Sequence, residues 1–264
     1  MPDKRNHRGP APEDAALFAP GQLPGLRQAA HDLGWLLDRG YALRSALELV
    51  GNRYALTARQ RLALGRCVCS EAARRRRRQT EVAPAALAGQ ELWLDGFNVL
   101  TALEAALAGG VVLLGGDGCC RDLASVYARH HEVAETAPAL ELLGAALQGW
   151  GVRRCRWWLD RPVSNSGRLQ RRLLDLAARR DWDWTVDLVF NPDRVLAETE
   201  QIIATTDSVI LDRCRRWFNL VRWVIAGHIP QAWVVDLGGG PAREIPGTNP
   251  GCGTAHRSGV HFTF

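Results

Sequence analysis

Several features are missing from this 264-residue chain, and each absence removes a class of answer. No apolar run approaches the roughly 18 to 20 uncharged residues that a membrane-spanning helix needs. Met1 to Pro20 carries Lys4, Arg5 and Arg8 but no apolar stretch, so it does not read as a secretory leader, and a cytoplasmic protein is expected. The seven cysteines (67, 69, 119, 120, 155, 214 and 252) form no Cys-x-x-Cys pair and have no paired His motif downstream, which argues against a zinc site. They read as free thiols of a reduced compartment. No Gly-x-Gly-x-x-Gly follows an apolar strand, and Gly115-Gly116-Asp117-Gly118 puts an acid where a dinucleotide's pyrophosphate would lie. Neither a Ser-His-Asp nor a Cys-His arrangement is discernible, and there is no internal repeat.

What is present describes a folded protein. Apolar residues make up 47% and charged residues 23%, and ten tryptophans argue against wholesale disorder. The length allows one large domain plus a small one. Charge is unevenly spread: residues 22 to 80 hold 12 Arg against four acids, 12 − 4 = +8, whereas residues 81 to 264 hold 18 Arg against 21 acids, 18 − 21 = −3. A basic segment joined to a slightly acidic one suggests a division between grip and chemistry, with a polyanion as partner.

Along the chain, residues 1–21 are polar and Pro-rich and read as a flexible tail. Residues 22–80 form a basic helical domain. Leu26, Ala29, Ala30, Leu33, Leu36 and Leu37 recur at helical spacing up to Gly40, a second helix runs from Leu43 to Val50, and Thr57 can cap a third that continues into Arg74–Arg78. Residues 81–90 read as a linker. Over 91–237, short apolar runs (Glu91–Leu94, Val111–Leu114, Arg156–Leu159, Thr185–Phe190, Ile202–Ala204, Ala232–Val235) alternate with helical segments near Val99–Ala108, Asp122–His131, Ala139–Trp150, Gly167–Arg180, Val195–Glu200 and Arg213–Ala226. That alternation predicts an α/β fold, a mostly parallel central sheet with helices on both faces, preceded by a small all-helical domain. Residues 238–264 are a Gly/Pro-rich C-terminal segment with no assignable element.

In an open parallel sheet ligands bind at the C-terminal edge of the strands. Four apolar runs are followed by aspartate: Asp95, Asp117, Asp160 and Asp207. Gathering like charges costs free energy, because each carboxylate raises its neighbours' pKa and resists desolvation. A hard, oxygen-seeking cation, Mg²⁺ or Mn²⁺, removes that cost and keeps positions open for phosphate oxygens and water. The competing reading is that each aspartate caps the helix that follows, which Asp95 and Asp207 could both do.

Leu94-Asp95-Gly96-Phe97-Asn98-Val99-Leu100, Trp158-Leu159-Asp160 and Ala204-Thr205-Thr206-Asp207-Ser208 resemble, in order, the signatures of the PIN-like nucleases, especially their NYN branch, across about residues 91–237. Residues 22–80, with Asp32-Leu33-Gly34-Trp35 and Leu49-Val50-Gly51-Asn52-Arg53-Tyr54, resemble domain of unknown function 434, which has no activity to transfer. The nuclease resemblance implies that Asp95, Asp160 and Asp207 bind metal and that Asn98 orients the first of them or contacts phosphate. It implies a fourth acid near a helix start before Asp207, where Asp193, Glu198 and Glu200 are available. An insertion at about 111–150 departs from the pattern; it carries Asp122 and also Asp117, which is either an additional ligand or a turn residue.

The resulting expectation is metal-dependent phosphodiester hydrolysis, in RNA by the resemblance, with water as nucleophile. Arg74, Arg75, Arg76, Arg77 and Arg78, together with Arg213, Arg215 and Arg216, are candidate phosphate contacts. Ser164 and Asn165 open a helix whose free N–H groups could hold a phosphate or simply be capped. The alternative is a non-catalytic nucleic-acid-binding protein on a degenerate PIN-like fold. A haloacid-dehalogenase-like phosphatase fits less well, since Phe97 stands where that chemistry needs a second acid.

Overall fold

The computed structural model describes residues 7–123 and 132–238. Most of the expected helix at 122–131, the segment 239–264 and Cys252 lie outside the described residues. None of the described helices is long and apolar enough to cross a membrane.

The N-terminal third is helical: α1 (Asp14–Leu17), α2 (Leu23–Asp38), α3 (Leu43–Arg53), α4 (Ala58–Cys67) and α5 (Glu71–Thr80). Thr57 does cap α4, in a reciprocal box with Gln60. The expected third helix is nevertheless two. Val68 is extended, and the Ser70 hydroxyl accepts the Ala73 N–H at 3.2 Å, restarting the chain as α5. The stretch read as a flexible tail is partly structured: Phe18 is buried in the helical core, and Arg59 forms an ion pair with the buried Asp14. The stretch read as a linker is also held down. Its 3₁₀ turn, Pro84–Leu87, buries Leu87, and the Val82 N–H donates to Trp217 O at 2.8 Å.

The rest is α/β: β1 (Glu91–Asp95), α6 (Gly96–Leu107), β2 (Val112–Leu114), β3 (Cys120–Asp122), α7 (Thr136–Gly149), β4 (Arg154–Asp160), α8 (Ser166–Arg180), β5 (Trp184–Val189), α9 (Pro192–Glu198), β6 (Ile202–Ala204), α10 (Ser208–Leu211), α11 (Leu220–His228) and β7 (Val234–Asp236). The main sheet is fully parallel, in the order β5-β4-β1-β6. Alternation along its strands explains the two-sided cover. Leu92, Leu94, Trp157, Leu159, Ile202 and Ala204 pack into the core shared with α6, α7, α8 and α11. Trp93, Trp158 and Ile203 point the other way, into a cluster with Leu196 of α9 and Ile210 and Leu211 of α10.

One expected strand lies elsewhere. Val111–Leu114 leads not into the main sheet but into a second one, β3-β2-β7, where β2 runs parallel to β7 and antiparallel to β3. Its unbroken apolar run is explained by burial on both faces. Val112 joins the α/β core, while Leu113, with Val235 of β7, packs under Leu26, Leu33 and Leu64 of the helical layer. Each such side chain contributes roughly 1.5 to 3 kcal/mol by leaving water. The small sheet therefore cements the basic helices to the α/β body.

Candidate functional site

Parallel pairing carries the strand ends to one edge. Asp95 pairs with Trp158, so Asp160 lies two residues beyond it on the neighbouring strand; Leu94 pairs with Ala204, and Asp207 follows three residues later. Asp160 itself pairs with Val189, after which the chain turns through Asn191 into α9, with Asp193 in its first turn. Asp95, Asp160, Asp193 and Asp207 all line one cavity of about 390 Å³.

Asp95 is buried, and although it occupies the position preceding α6, its side chain makes no capping bond. The helix starts against the sheet because residue 96 is glycine: a Cβ there would meet Leu159 Cδ2 at 2.4 Å and Trp158 O at 3.1 Å. The Thr205 hydroxyl donates to Asp95 Oδ2 at 2.7 Å and accepts the Asp207 N–H at 3.0 Å. Burial pushes the Asp95 carboxyl up to about 7; the nearby Asp207, Asp193 and Asp160 push the same way, and the Thr205 hydrogen bond opposes them. Asp160 is raised by burial and then by Asp193, and Asp193 by burial and then by Asp207. Asp207 does act as a cap: its Oδ1 accepts the N–H groups of Val209 at 2.7 Å and Ile210 at 3.2 Å.

Asn98 has a different task from orienting Asp95. Its Oδ1 accepts both the N–H of Thr206 at 2.7 Å and its hydroxyl at 2.9 Å, which pins the loop before Asp207. Its amide NH₂ is then the group that can donate to a ligand in the cavity, which Asn98 lines.

Other expected residues fall away from the cavity. Asp117 is nearly sealed between two arginines, with Arg121 Nη2 and Arg77 Nη1 each 2.6 Å from its Oδ2. It is buried, but these guanidiniums hold its carboxyl well below the usual range, and its Oδ1 accepts the Cys119 N–H at 3.1 Å, so of the two readings left open, additional ligand or turn residue, the geometry fits a turn residue that is also an ion-pair centre. Glu198 is exposed and pairs with Arg194 at 3.2 Å, and Glu200 pairs with Arg215 at 2.6 Å. Of the five consecutive arginines, Arg77 is buried and also pairs with Asp212 at 2.7 Å, which removes it from any phosphate-facing surface. Arg74 pairs with Glu71. Arg75, Arg76 and Arg78 are exposed, as are Arg213, Arg215 and Arg216, and Arg76 reaches Arg213 O at 3.3 Å, which brings the two groups of cations together; none of the six lines the cavity. Ser164 and Asn165 lie on the loop next to the cavity-lining Val163; Asn165 is left-handed (φ 69°) and does not cap α8 with its side chain.

Three lining groups were not anticipated: Arg66, Arg121 and, in this role, Asp122. Arg66, near the end of α4, donates to Asp122 O and lies 3.5 Å from Asp122 Oδ1. Arg121 Nε donates to Thr206 O at 2.7 Å, which ties the Asp117 ion pair to the Asp207 loop. In the sequence the run at 74–78 stands out and Arg66 does not, because a lone arginine on an amphipathic helix carries no local signal.

The acidic groups lining this cavity offer carboxylate oxygens, the donor type that a hard cation takes. Among the described residues, no three His, Cys, Asp or Glu side chains converge into a ready-made ion cage.

Two family models match the chain: one described as a domain of unknown function (DUF5616) over residues 84–223, and one described as a protein of unknown function (DUF434) over residues 25–79. Uncharacterized protein MJ0935 of Methanocaldococcus jannaschii is 30% identical over 186 residues, covering 70% of this chain and 88% of the relative. No solved structure matches at a significant level.

Proposed function

The chain belongs to the DUF5616 family, whose description assigns no activity, and from its site we propose that it is a Mg²⁺- or Mn²⁺-dependent nuclease hydrolysing phosphodiester bonds in RNA, with a PIN-like α/β unit. The observation that carries this reading is Asp95: a buried carboxylate at the sheet's C-terminal edge, not used as a helix cap, surrounded by Asp160, Asp193 and Asp207 and pushed up to about 7. Carboxylates crowded at a cavity with this cost are characteristic of sites that work with a cation. The order of the aspartates along the chain supports the PIN-like assignment, with Asp193 supplying the fourth acid at a helix start.

One or two of Asp95, Asp160, Asp193 and Asp207 would ligate the ion directly and the others through water, and the ion when bound supplies charge neutralisation at the scissile phosphate and a water acidic enough to attack near neutral pH. The protein's own contribution is positional. Thr205 fixes one oxygen of Asp95, Asn98 and Arg121 fix Thr206 from two sides, and the Asp207 loop is thereby stationary before substrate arrives. Arg66, which also holds Asp122, and the Asn98 amide would donate to phosphate oxygens, and the exposed arginines of α5 and the turn after α10 extend the grip along a strand.

The capping role of Asp207 favours a second reading, a nucleic-acid-binding protein on a degenerate site. Cleavage of single-stranded and structured RNA, measured with Mn²⁺ or Mg²⁺, separates the two. Asp95→Asn and Asp207→Asn should each lower turnover by about a hundredfold or more; unchanged cleavage in both removes the nuclease reading, and binding without any divalent-dependent cleavage favours the second.

A further inference from the structure

We propose that Phe190 and Arg161 form a stacking subsite for an unpaired nucleobase at the rim of the acidic cavity, so that the strand engaged there is single; this rests on the nuclease reading above. β4 and β5 end in register, Asp160 opposite Val189. Arg161 and Phe190 are the next residues of each strand, and the Arg161 N–H donates to Val189 O at 2.7 Å, which holds the two turns together. The Phe190 ring is 73% exposed, more than any other large apolar side chain described, and the Arg161 guanidinium lies 5.2 Å from its centroid. Phe190 precedes the cavity-lining Asp193 by three residues, a span of at most roughly 11 Å of backbone. Val209, 54% exposed, stands two residues after Asp207 and gives the rim a second apolar point.

The ring's surroundings suit a base better than a protein face. A protein contact needs a contiguous apolar patch of several hundred Å², whereas the exposed Phe190 has the Arg161 guanidinium over its ring, and Arg194, paired with Glu198, follows four residues later. A flat aromatic with a guanidinium over one face has its other face to offer a base, with the cation beside the adjoining phosphate. A paired base would keep its face in the duplex stack and leave the ring uncovered.

The test uses the full chain carrying Asp95→Asn, so that binding is read with Mg²⁺ and without turnover. Fluorescence anisotropy compares a single-stranded RNA oligomer, its duplex, and the oligomer with an abasic site scanned along it. Phe190→Ala should weaken single-strand binding by about five- to a hundredfold, Phe190→Trp should retain it, and at one abasic position the wild-type and Phe190→Ala affinities should coincide. Equal affinity of Phe190→Ala and wild type, an equal loss on the duplex, or no binding of single strands by wild type overturns the subsite. Loss of binding in Phe190→Ala together with no divalent-dependent cleavage by wild type keeps the subsite and removes the nuclease reading; cleavage by wild type with full activity in Phe190→Ala does the reverse.

Discussion

Replacing Asp95 by Asn should stabilise the metal-free protein at alkaline pH while lowering the proposed cleavage of RNA by about a hundredfold or more. The Asp95 carboxyl is held near 7 in the fold against an ordinary value of 3.8. An acid whose folded pKa is raised binds its proton more tightly when folded, so its contribution is most favourable below about 4 and is lost as pH rises from about 4 to 7. The full shift of about three units corresponds to roughly 4 kcal/mol, of which about 3 kcal/mol falls between pH 5 and pH 8. Asn removes this cost and still accepts the Thr205 hydroxyl, but its NH₂ needs a partner that the carboxylate did not, at about 1 to 3 kcal/mol. A net gain of about 1 to 3 kcal/mol at pH 8 remains, or a rise in Tm of about 2 to 10 °C. Thermal melts in EDTA followed by tryptophan fluorescence at pH 5, 6, 7 and 8 would read it. Wild type should lose stability across this window more steeply than the variant, and saturating Mg²⁺ at pH 8 should restore wild type alone. Asp117, whose carboxyl is lowered, loses its contribution only as pH falls below about 4 and does not enter this window. A variant less stable than wild type at pH 8, or parallel pH profiles, would refute the account of Asp95 as an uncompensated buried carboxylate.

Three further substitutions divide the charged groups by role. Arg66→Gln should raise KM for RNA about tenfold with a smaller change in kcat, because a charge-assisted contact to phosphate is worth about 1.5 to 3 kcal/mol; Arg66→Lys should recover part of it, and an unchanged KM would remove Arg66 from the substrate's path. Asp117→Asn removes the charge that Arg77 and Arg121 share, leaving Arg77 with Asp212 and Arg121 with no buried counter-charge, and should cost about 3 to 5 kcal/mol in chemical denaturation, whereas weakened Mg²⁺ binding with unchanged stability would revive Asp117 as a ligand. Glu198→Gln, on an exposed i,i+4 pair, should change stability by less than about 0.5 kcal/mol and leave cleavage within twofold, a loss of activity showing that the fourth acid is Glu198 and not Asp193.

The architecture was legible where periodicity is local. Helices α2 and α3, the Thr57 cap and six strand segments follow from apolar spacing and turn residues. What spacing cannot encode is which sheet a strand joins. Val111–Leu114 looks like any buried parallel strand, and only its neighbours, β3 and the distant β7, put it in the second sheet and carry Asp117 away from the other aspartates. The same limit explains the arginines. Arg77 and Arg78 are adjacent in the same run, yet the helix turns one inward onto Asp117 and Asp212 and leaves the other exposed. Asp193 and Glu198 bracket α9, and only the three-dimensional packing shows that the first, and not the second, lines the cavity.

The two matched segments also form one site, not two modules. Arg66, inside the stretch matched by the DUF434 model, lines the cavity formed by aspartates of the DUF5616 stretch. A buried chain of charges runs from Arg77 of α5 through Asp117 to Arg121 and from there to the Thr206 carbonyl, one residue before Asp207. Beneath it, Leu113 and Val235 are covered by Leu26, Leu33 and Leu64. A chain beginning at residue 81 would therefore lose Arg66, leave Asp117 with one arginine instead of two, and expose one face of the small sheet. It should aggregate or melt well below the full chain in differential scanning calorimetry, and should not cleave RNA. If it instead proved monomeric and fully active, the helical layer would be an appendage, and the part assigned here to Arg66 and to the charge chain would have to be given up.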